Sequence, residues 1–243
     1  MIARSIKPQI SKYLQSNDKG KVLFVWGPRR SGKTTLLEEE SRKHKTAIYN
    51  FDSYSEREKF TPDRDVLSKL AAENKIILID EIQNYPEATL SLKILLDNFN
   101  VKIIATGSSE LRRTSKDFDS LAGRYKEIFC LPLSIKEIKK YSAPKPSEEK
   151  QFNKKIARDI ILYGAYPEVY LEKSSEEAKI ILLQKLLDSY VLKDVIDIYN
   201  LKNSKLAKDI LTKIALQIGS EVSIREIAND LQANMITVAN YIE

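Results

Sequence analysis

A turn rich in glycine and basic residues, GPRRSGKTT at positions 27–35, is the part of the sequence with the clearest chemistry. It follows the apolar run KVLFVW and contains the pattern G-x-x-x-x-G-K-T from Gly27 to Thr34. Glycines let such a turn point its backbone N–H groups inward, and those donors, with the positive end of a following helix, attract a polyphosphate. A strand before the turn and a helix after it are the context this pattern requires. We therefore predict a phosphate-binding loop (P-loop) rather than a simple strand-to-helix turn.

Two residues of the loop have defined expected roles. Lys33 is expected to bridge the β- and γ-phosphates of a nucleotide, and Thr34 to offer its hydroxyl to Mg²⁺. Arg29 and Arg30 are suited to contact either phosphate or a nearby carboxylate, and the sequence does not decide between the two. The predicted nucleotide-binding residues of the loop are Gly27, Pro28, Arg29, Arg30, Ser31, Gly32, Lys33, Thr34 and Thr35.

An acidic pair ends a second apolar run, IILIDE at positions 76–81. Open α/β sheets bind ligands at the carboxyl ends of their strands, so Asp80 is predicted to hold the same Mg²⁺, directly or through water. Glu81 is then suited to polarise the water that attacks the γ-phosphate. The alternative is a solvated acidic pair at the end of a core strand.

Three hydroxyl residues and one arginine complete the candidate site. Thr106, Ser108 and Ser109 end the run VKIIATGSS and are suited to hold the attacking water or to sense the γ-phosphate, unless they only cap a helix or form a turn. Arg124 is a candidate for charge stabilisation on a neighbouring subunit's nucleotide, with a surface ion pair as the alternative. The predicted catalytic residues are Lys33, Glu81, Ser108 and Arg124.

The choice of nucleotide rests on an absent motif. A GTPase normally carries an N-K-x-D base-reading loop, and the two NK pairs of this sequence, in ENKII and FNKKI, lack the aspartate. The expected ligands are therefore ATP and ADP with Mg²⁺. An adjacent acidic pair after an apolar strand favours water activation, so hydrolysis is preferred over a kinase reaction.

The elements that must position these residues alternate along the chain. The runs KVLFVW, TAIYNFD, KIILID and VKIIATG are predicted strands separated by predicted helices, which indicates a parallel α/β sheet. After about residue 130 the pattern becomes mostly helical, starting with a capping box at Ser134 and Glu137.

The composition limits the classes of partner and the compartment that we expect for this protein. The chain has 243 residues, 42% of them hydrophobic, and a net charge of +6, which suits acidic partners such as nucleotides or nucleic acid but also an ordinary lysine-rich surface. One cysteine, Cys130, excludes an internal disulfide and indicates a reducing cytoplasm. No stretch approaches the roughly 18 uncharged apolar residues of a membrane helix, so no membrane contact is expected.

Several motifs together resemble one family. GPRRSGKTTLL, YNFD, LIDEIQ, ATGSSELRR, LAGRYKEIFCLPLSIKE and YGAYPEVYL stand in the order found in a large group of prokaryotic AAA+-like ATPases with a C-terminal extension of unknown function. The resemblance covers nearly the whole chain. It implies an AAA+-type P-loop domain at 1–140, a helical lid at 151–215 and a partial winged-helix segment at 216–243. It gives Lys33 and its partners the roles argued above, and Ser108 or Ser109 the role of sensor 1.

The resemblance also bears on the lid. A G-x-P motif in the lid of related signalling ATPases touches the nucleotide, and GAYP, from Gly164 to Pro167, resembles it, unless it is an interhelical turn. Pro167 is therefore a predicted nucleotide contact. The sequence departs from the family pattern in lacking a clear second sensor arginine, which puts coupling of hydrolysis to lid motion in doubt.

The C-terminal stretch SIREIANDLQANMITVANYIE resembles a helix-turn-helix that begins with a capping box at Ser223 and Glu226. Its second helix has no lysine or arginine, so DNA, a protein partner and a second copy of the chain all stay open as partners. The pattern stops partway, and we expect an effector region to be missing. The preferred function is ATP hydrolysis, and the alternative is a nucleotide-gated switch or DNA-binding module with slow or no hydrolysis.

Overall fold

The structure is a computed structural model that describes residues 2–16, 20–108, 121–188 and 203–242. The chain divides into two compact units, residues 1–179 and residues 180–243. Each unit is described by itself.

In its described residues, the first unit contains both helices and strands up to residue 129 and only helices and turns after it. In chain order its elements are α1 (Lys7–Gln15), β1 (Val22–Trp26), α2 (Lys33–His44), β2 (Ile48–Asn50), α3 (Tyr54–Glu58), α4 (Arg64–Glu73), β3 (Ile76–Asp80), a 3₁₀ turn (Ile82–Asn84), α5 (Ala88–Asn98), β4 (Lys102–Gly107), β5 (Tyr125–Phe129), α6 (Ile135–Ser142), a 3₁₀ turn (Pro146–Glu148), α7 (Glu149–Tyr163) and α8 (Pro167–Leu171). A further helix, α9 (Glu176–Leu186), begins in this unit and ends in the second.

The five strands form one parallel sheet in the order β2-β3-β4-β1-β5. The predicted parallel α/β sheet is confirmed. Four of its strands are those predicted from the sequence, and β5 is a fifth strand that the sequence analysis did not identify. Strand β1 lies between β4 and β5, with Val25 opposite Thr106 on one side and Ile128 on the other.

Helices cover both faces of the sheet, because each central strand is apolar on both sides. In β1, Leu23 and Val25 pack with residues of α1 and α2, whereas Phe24 and Trp26 pack with residues of α4 and α5. All five residues of β1 are buried. The carboxyl ends of the strands are therefore held by two apolar layers, and the polar residues that follow them meet at one edge of the sheet.

The second unit contains helices only, in the part that the structure describes. After the end of α9 they are α10 (Ser204–Leu216), α11 (Ile224–Asp230) and α12 (Met235–Ile242). These three helices surround a small core of Ile210, Ile227, Ala228 and Val238. Ser223 caps α11 by accepting a hydrogen bond from the Glu226 N–H at 3.3 Å. The two helices of the C-terminal stretch are thus present, and the winged-helix assignment stays a prediction.

Within the described ranges, every helix is too short or too polar to cross a bilayer.

Candidate functional site

The phosphate-binding loop joins β1 to α2 and contains two glycines, Gly27 and Gly32, whose positions favour glycine for steric reasons. A Cβ at position 27 would lie 2.2 Å from the Cys130 carbonyl oxygen, so only glycine fits there. Gly32 has φ +99°, a left-handed conformation that favours glycine, and the helix begins at the next residue, Lys33. The loop is thus a tight strand-to-helix turn that presents the first N–H groups of α2 at its open side.

Lys33 is almost fully buried, with 5% of its surface exposed. Its Nζ donates hydrogen bonds of 2.9 Å to the carbonyl oxygens of both Gly27 and Pro28. Burial lowers the pKa of this ammonium, although the nearby charge of Glu81 acts in the opposite direction. The ammonium is thus folded onto two carbonyl oxygens of its own loop.

Asp80 links the end of β3 to the start of α2 through a hydrogen bond of its carboxylate. The Thr34 hydroxyl donates to Asp80 Oδ2 at 2.8 Å, and the Thr106 hydroxyl donates to Oδ1. The Glu81 N–H also donates to Oδ1, at 3.2 Å. Only 3% of Asp80 is exposed. The two residues predicted to hold a metal ion, Thr34 and Asp80, are therefore brought into direct contact.

Glu81 follows Asp80 in an uncommon backbone conformation, with φ +54° and ψ +47°. A left-handed conformation in a non-glycine residue persists only where its surroundings hold it, and it occurs often at functional sites. Here it turns the chain directly after β3. The Glu81 carboxylate accepts a hydrogen bond from Gln83 Nε2.

Gln83 is a site residue that the sequence analysis did not single out. Its Oε1 accepts a hydrogen bond of 3.3 Å from the Ser108 N–H, while its Nε2 donates to Glu81. One amide therefore connects the predicted water-activating residue to the end of β4. The sequence feature that could have identified Gln83 is its position two residues after Glu81 in LIDEIQ, but this spacing does not indicate which residues Gln83 contacts.

Gly107, the last residue of β4, leaves room for this amide. A Cβ there would lie 2.5 Å from Trp26 Cζ3 and 2.8 Å from Gln83 Oε1. The next residue, Ser108, is fully buried. Ser109, the other predicted sensor residue, lies outside the described residues.

Two of the predicted arginines, Arg30 and Arg124, form ion pairs with carboxylates. Arg30 forms an exposed ion pair with Glu168 of α8 at 3.0 Å. Burial is the main cause that lowers the pKa of Lys33, and the positive charge of Arg29 adds to it. Arg124 forms an exposed ion pair with Asp97, with N–O distances of 3.0 and 3.3 Å. This ion pair is the alternative that the sequence left open, and the action of Arg124 on a second nucleotide stays a prediction.

A cavity of about 130 Å³ adjoins the phosphate-binding loop. Its walls are mostly apolar and include Ile2, Thr35, Leu36, Leu133, Pro167 and Leu171. The segment before Pro167 is held by a 2.8 Å hydrogen bond from the Leu133 N–H to the Ala165 carbonyl. Two residues predicted to contact a nucleotide, Thr35 and Pro167, thus line one cavity beside Gly32.

In the comparison with known proteins, two segments of the chain match different family models. Residues 19–139 match a model described as an AAA domain. Residues 154–243 match a domain of unknown function, DUF8612.

Curated relatives are longer than this chain. An uncharacterised protein from Haemophilus influenzae is 26% identical over 247 residues, covering 96% of this chain and 60% of that protein. The uncharacterised protein MJ1544 from Methanocaldococcus jannaschii is 28% identical over 224 residues, covering 87% of this chain and 50% of that protein. The chain therefore spans about half to three fifths of the length of these relatives.

Solved structures resemble the chain at low sequence identity. AMPPCP-bound DnaA from Aquifex aeolicus is 16% identical, with a TM-score of 0.46, covering 100% of this chain and 88% of that one. The RuvB Holliday junction branch migration motor from Thermotoga maritima is 13% identical, with a TM-score of 0.41, covering 98% of this chain and 85% of that one.

Proposed function

We propose that this chain, whose residues 19–139 are an AAA domain, binds ATP with Mg²⁺ and hydrolyses it to ADP and phosphate. One observation carries the proposal. The Thr34 hydroxyl donates to the Asp80 carboxylate at 2.8 Å, and Thr34 directly follows the buried Lys33 at the start of α2. A hydroxyl, a carboxylate and an ammonium at the start of a helix are the groups that bind a magnesium–polyphosphate complex.

Lys33 is proposed to bind the β- and γ-phosphates. Its ammonium would exchange the neutral carbonyl oxygens of Gly27 and Pro28 for charged phosphate oxygens, and hydrogen bonds between two charged groups are the stronger kind. The N–H groups at the start of α2 would bind the same phosphates, since they have no partner within the helix.

Thr34 and Asp80 are proposed to hold Mg²⁺, Asp80 directly or through water. When bound, the ion neutralises phosphate charge that develops during transfer. The residues present fit such an ion, because hydroxyl and carboxylate oxygens are its preferred ligands. The hydrogen bond from Thr106 fixes the orientation of the Asp80 carboxylate.

Glu81 is the proposed general base. A water oxygen attacks the γ-phosphorus, the water proton passes to the Glu81 carboxylate, and the bond to the β–γ bridging oxygen breaks as ADP leaves. Ser108, at the end of the neighbouring strand, is proposed to contact the γ-phosphate or the attacking water. Gln83 connects the two residues, because its Nε2 donates to the Glu81 carboxylate and its Oε1 accepts from the Ser108 N–H.

The cavity beside the loop is proposed to take the adenine ring. Its apolar walls suit a flat base, and both Thr35 and Pro167 line it. The missing N-K-x-D motif favours ATP over GTP.

Arg124 is proposed to act on the nucleotide of a neighbouring copy of the chain. Its guanidinium lies in an exposed ion pair with Asp97, and such a pair contributes little stability, so phosphate could replace the carboxylate. The proposal therefore includes a homo-oligomer.

A nucleotide-gated switch is the second candidate, and the hydrogen bond from Gln83 to Glu81 favours it. The carboxylate oxygen that accepts this bond is occupied by the Gln83 amide, and it is not available to a water molecule until a partner or a nucleotide changes the arrangement. The net charge of +6 supports an acidic partner such as DNA, and a protein partner is also compatible with the switch.

The proposed division of the chain is a P-loop domain at 1–140, a helical lid at 151–215 and a partial winged-helix segment at 216–243. The single cysteine, which is buried, supports a reducing cytoplasm as the compartment.

The test is phosphate release from ATP, GTP and CTP, with and without Mg²⁺ and with duplex DNA added. The proposal expects release that requires ATP and Mg²⁺, that is lost in Lys33→Ala, and that is lost in Glu81→Gln while nucleotide binding is retained. Equal release by the wild type and Glu81→Gln would refute the role of Glu81. Binding without release, modulated by DNA, would favour the switch, and phosphate found on an acceptor molecule would indicate a kinase.

A further inference from the structure

We propose that Arg4 is a positioning residue for the phosphate-binding loop. Its guanidinium fixes the peptide between Ser31 and Gly32, and so directs a loop N–H toward the phosphate. The part of this inference that concerns ligand affinity rests on the function proposed above. The part that concerns the loop itself does not.

Arg4 joins three separate segments of the chain. Its NH1 donates to the Ser31 carbonyl at 2.5 Å, its NH2 donates to the Leu131 carbonyl, and its Nε donates to Glu137 Oε1 at 3.2 Å. Only 9% of the Arg4 side chain is exposed. A planar guanidinium presents donors in several fixed directions, which is what three acceptors on three segments require.

The contact with Ser31 has a consequence for its neighbour. In a trans peptide the C=O and N–H bonds point in opposite directions, and the described chain has no cis peptide bonds. Binding the Ser31 carbonyl on the Arg4 side therefore turns the Gly32 N–H to the opposite side. Because glycine has little conformational preference of its own, a contact from outside the loop helps to fix this orientation.

Arg4 also packs directly against the loop. A Cβ at Gly32 would lie 3.1 Å from Arg4 NH1, and both residues line the cavity of about 130 Å³. The guanidinium thus supports the loop at the point where its backbone is left-handed.

Glu137 holds Arg4 in turn. It accepts hydrogen bonds from the Ser134 N–H at 2.8 Å and the Ser5 N–H at 2.5 Å, and its side chain is 5% exposed. Because Glu137 lies in the first turn of α6, Arg4 connects the loop to the start of the helical segment that follows the sheet.

The experiment measures amide hydrogen exchange of the nucleotide-free protein by mass spectrometry, using peptides that cover residues 27–36. It compares the wild type with Arg4→Ala, Arg4→Lys and the control variant Arg64→Ala. Arg64 is an exposed arginine at the start of α4. In both Arg4 variants the backbone amides of the loop should exchange faster than in the wild type, whereas those of β3 should exchange at the same rate. The exchange rates of Arg64→Ala should match those of the wild type in both segments. Lysine should not restore protection, because the single nitrogen of an ammonium cannot reach the acceptors that three separate nitrogens of the guanidinium contact.

Two further readouts separate positioning from general destabilisation. The dissociation constant for Mg-ATP should rise about tenfold or more in Arg4→Ala, as expected for the loss of a charge-assisted contact that orders a binding loop. Guanidinium chloride at roughly 10 mM, far below the molar concentrations that unfold proteins, should recover part of the loop protection, and potassium chloride at the same concentration should not.

Unchanged loop exchange in both Arg4 variants would overturn the inference. So would acceleration spread equally over β3, because Arg4 would then stabilise the fold as a whole. If Arg4→Ala does not fold, the same exchange pattern is required of Arg4→Lys. If the wild type does not bind Mg-ATP, the proposed function fails, and the exchange measurement still decides the role of Arg4.

Discussion

Thr34 Oγ1 donates a 2.8 Å hydrogen bond to Oδ2 of Asp80, across 46 positions of the sequence. The bond ties the first turn of α2 to the end of β3. Both groups are oxygen ligands, and two oxygens at this separation can bind one Mg²⁺ from the same side. The fold thus brings into direct contact the two residues that we propose to hold Mg²⁺.

Removing either partner should weaken Mg²⁺ binding more than nucleotide binding. Thr34→Ala and Asp80→Asn should each raise the Mg²⁺ concentration needed for half-maximal formation of the nucleotide complex by about tenfold or more, on the scale of one lost ligand in a metal site. A Mg²⁺ titration at fixed ATP measures this. Thr61→Ala, which removes a hydroxyl bound to the Glu58 carbonyl, is the control and should be unchanged.

Lys33 should make nucleotide binding depend on pH. Burial lowers the pKa of its ammonium in the free protein, and a bound polyphosphate would raise it again. Between these two pKa values binding takes up a proton, so the affinity for Mg-ATP should fall as the pH rises through the lower one. Calorimetry in two buffers of different ionisation enthalpy measures the uptake. An affinity that stays constant up to pH 10 would contradict this reading.

Gln83 should affect turnover more than binding. Gln83→Ala removes the bonds to both Glu81 and the Ser108 N–H. If the amide positions the base, kcat should fall about tenfold, a fraction of the roughly 10²–10⁴-fold that general-base catalysis contributes, with little change in the dissociation constant for Mg-ATP. A rise in kcat would instead indicate that Gln83 restrains Glu81, as the switch requires. Asn98→Ala, at the end of α5, is the control.

Glu137 should contribute to stability in a defined acidic range. Although burial raises the pKa of its carboxyl, hydrogen bonds from the Ser134 and Ser5 N–H groups and the charge of Arg4 lower it from 4.5 to about 2. Because the folded pKa lies below the unfolded value, this contribution is fully present above about pH 4.5 and is lost as the pH falls toward 2.

Denaturant unfolding of the wild type and Glu137→Gln from pH 7 to pH 2.5 tests this range. The difference in unfolding free energy between them should shrink by roughly 2 kcal/mol over that interval. Glu73→Gln, at an exposed position, should show no such change. A difference in unfolding free energy that does not depend on pH would mean that the Glu137 carboxyl has the same pKa in the folded and unfolded states.

The local parts of the site could be predicted from the sequence. The phosphate-binding loop and the acidic pair are short, continuous patterns next to apolar runs, and the sheet brings them together because parallel strands end at the same edge. Strand β5 was missed because its sequence, YKEIF, mixes charged and apolar residues, as suits a strand at the sheet edge with only Ile128 buried.

Arg4 and Gln83 could not be predicted from sequence spacing. The acceptors of Arg4 lie 27, 127 and 133 positions away, so no window of the sequence contains the interaction. Gln83 is close to Glu81 in sequence, but its second partner is Ser108, 25 positions further on. In both cases the function of the side chain is defined by the tertiary fold.

Trp26 gives the molecule a built-in optical probe. It is the only tryptophan of the sequence, it immediately precedes Gly27, and its indole stacks on Phe24 with ring centroids 5.1 Å apart. The same ring is packed against Gly107, where β4 ends. Its ultraviolet emission therefore originates between the two strand ends that a nucleotide would contact, and occupancy can be followed in unlabelled protein.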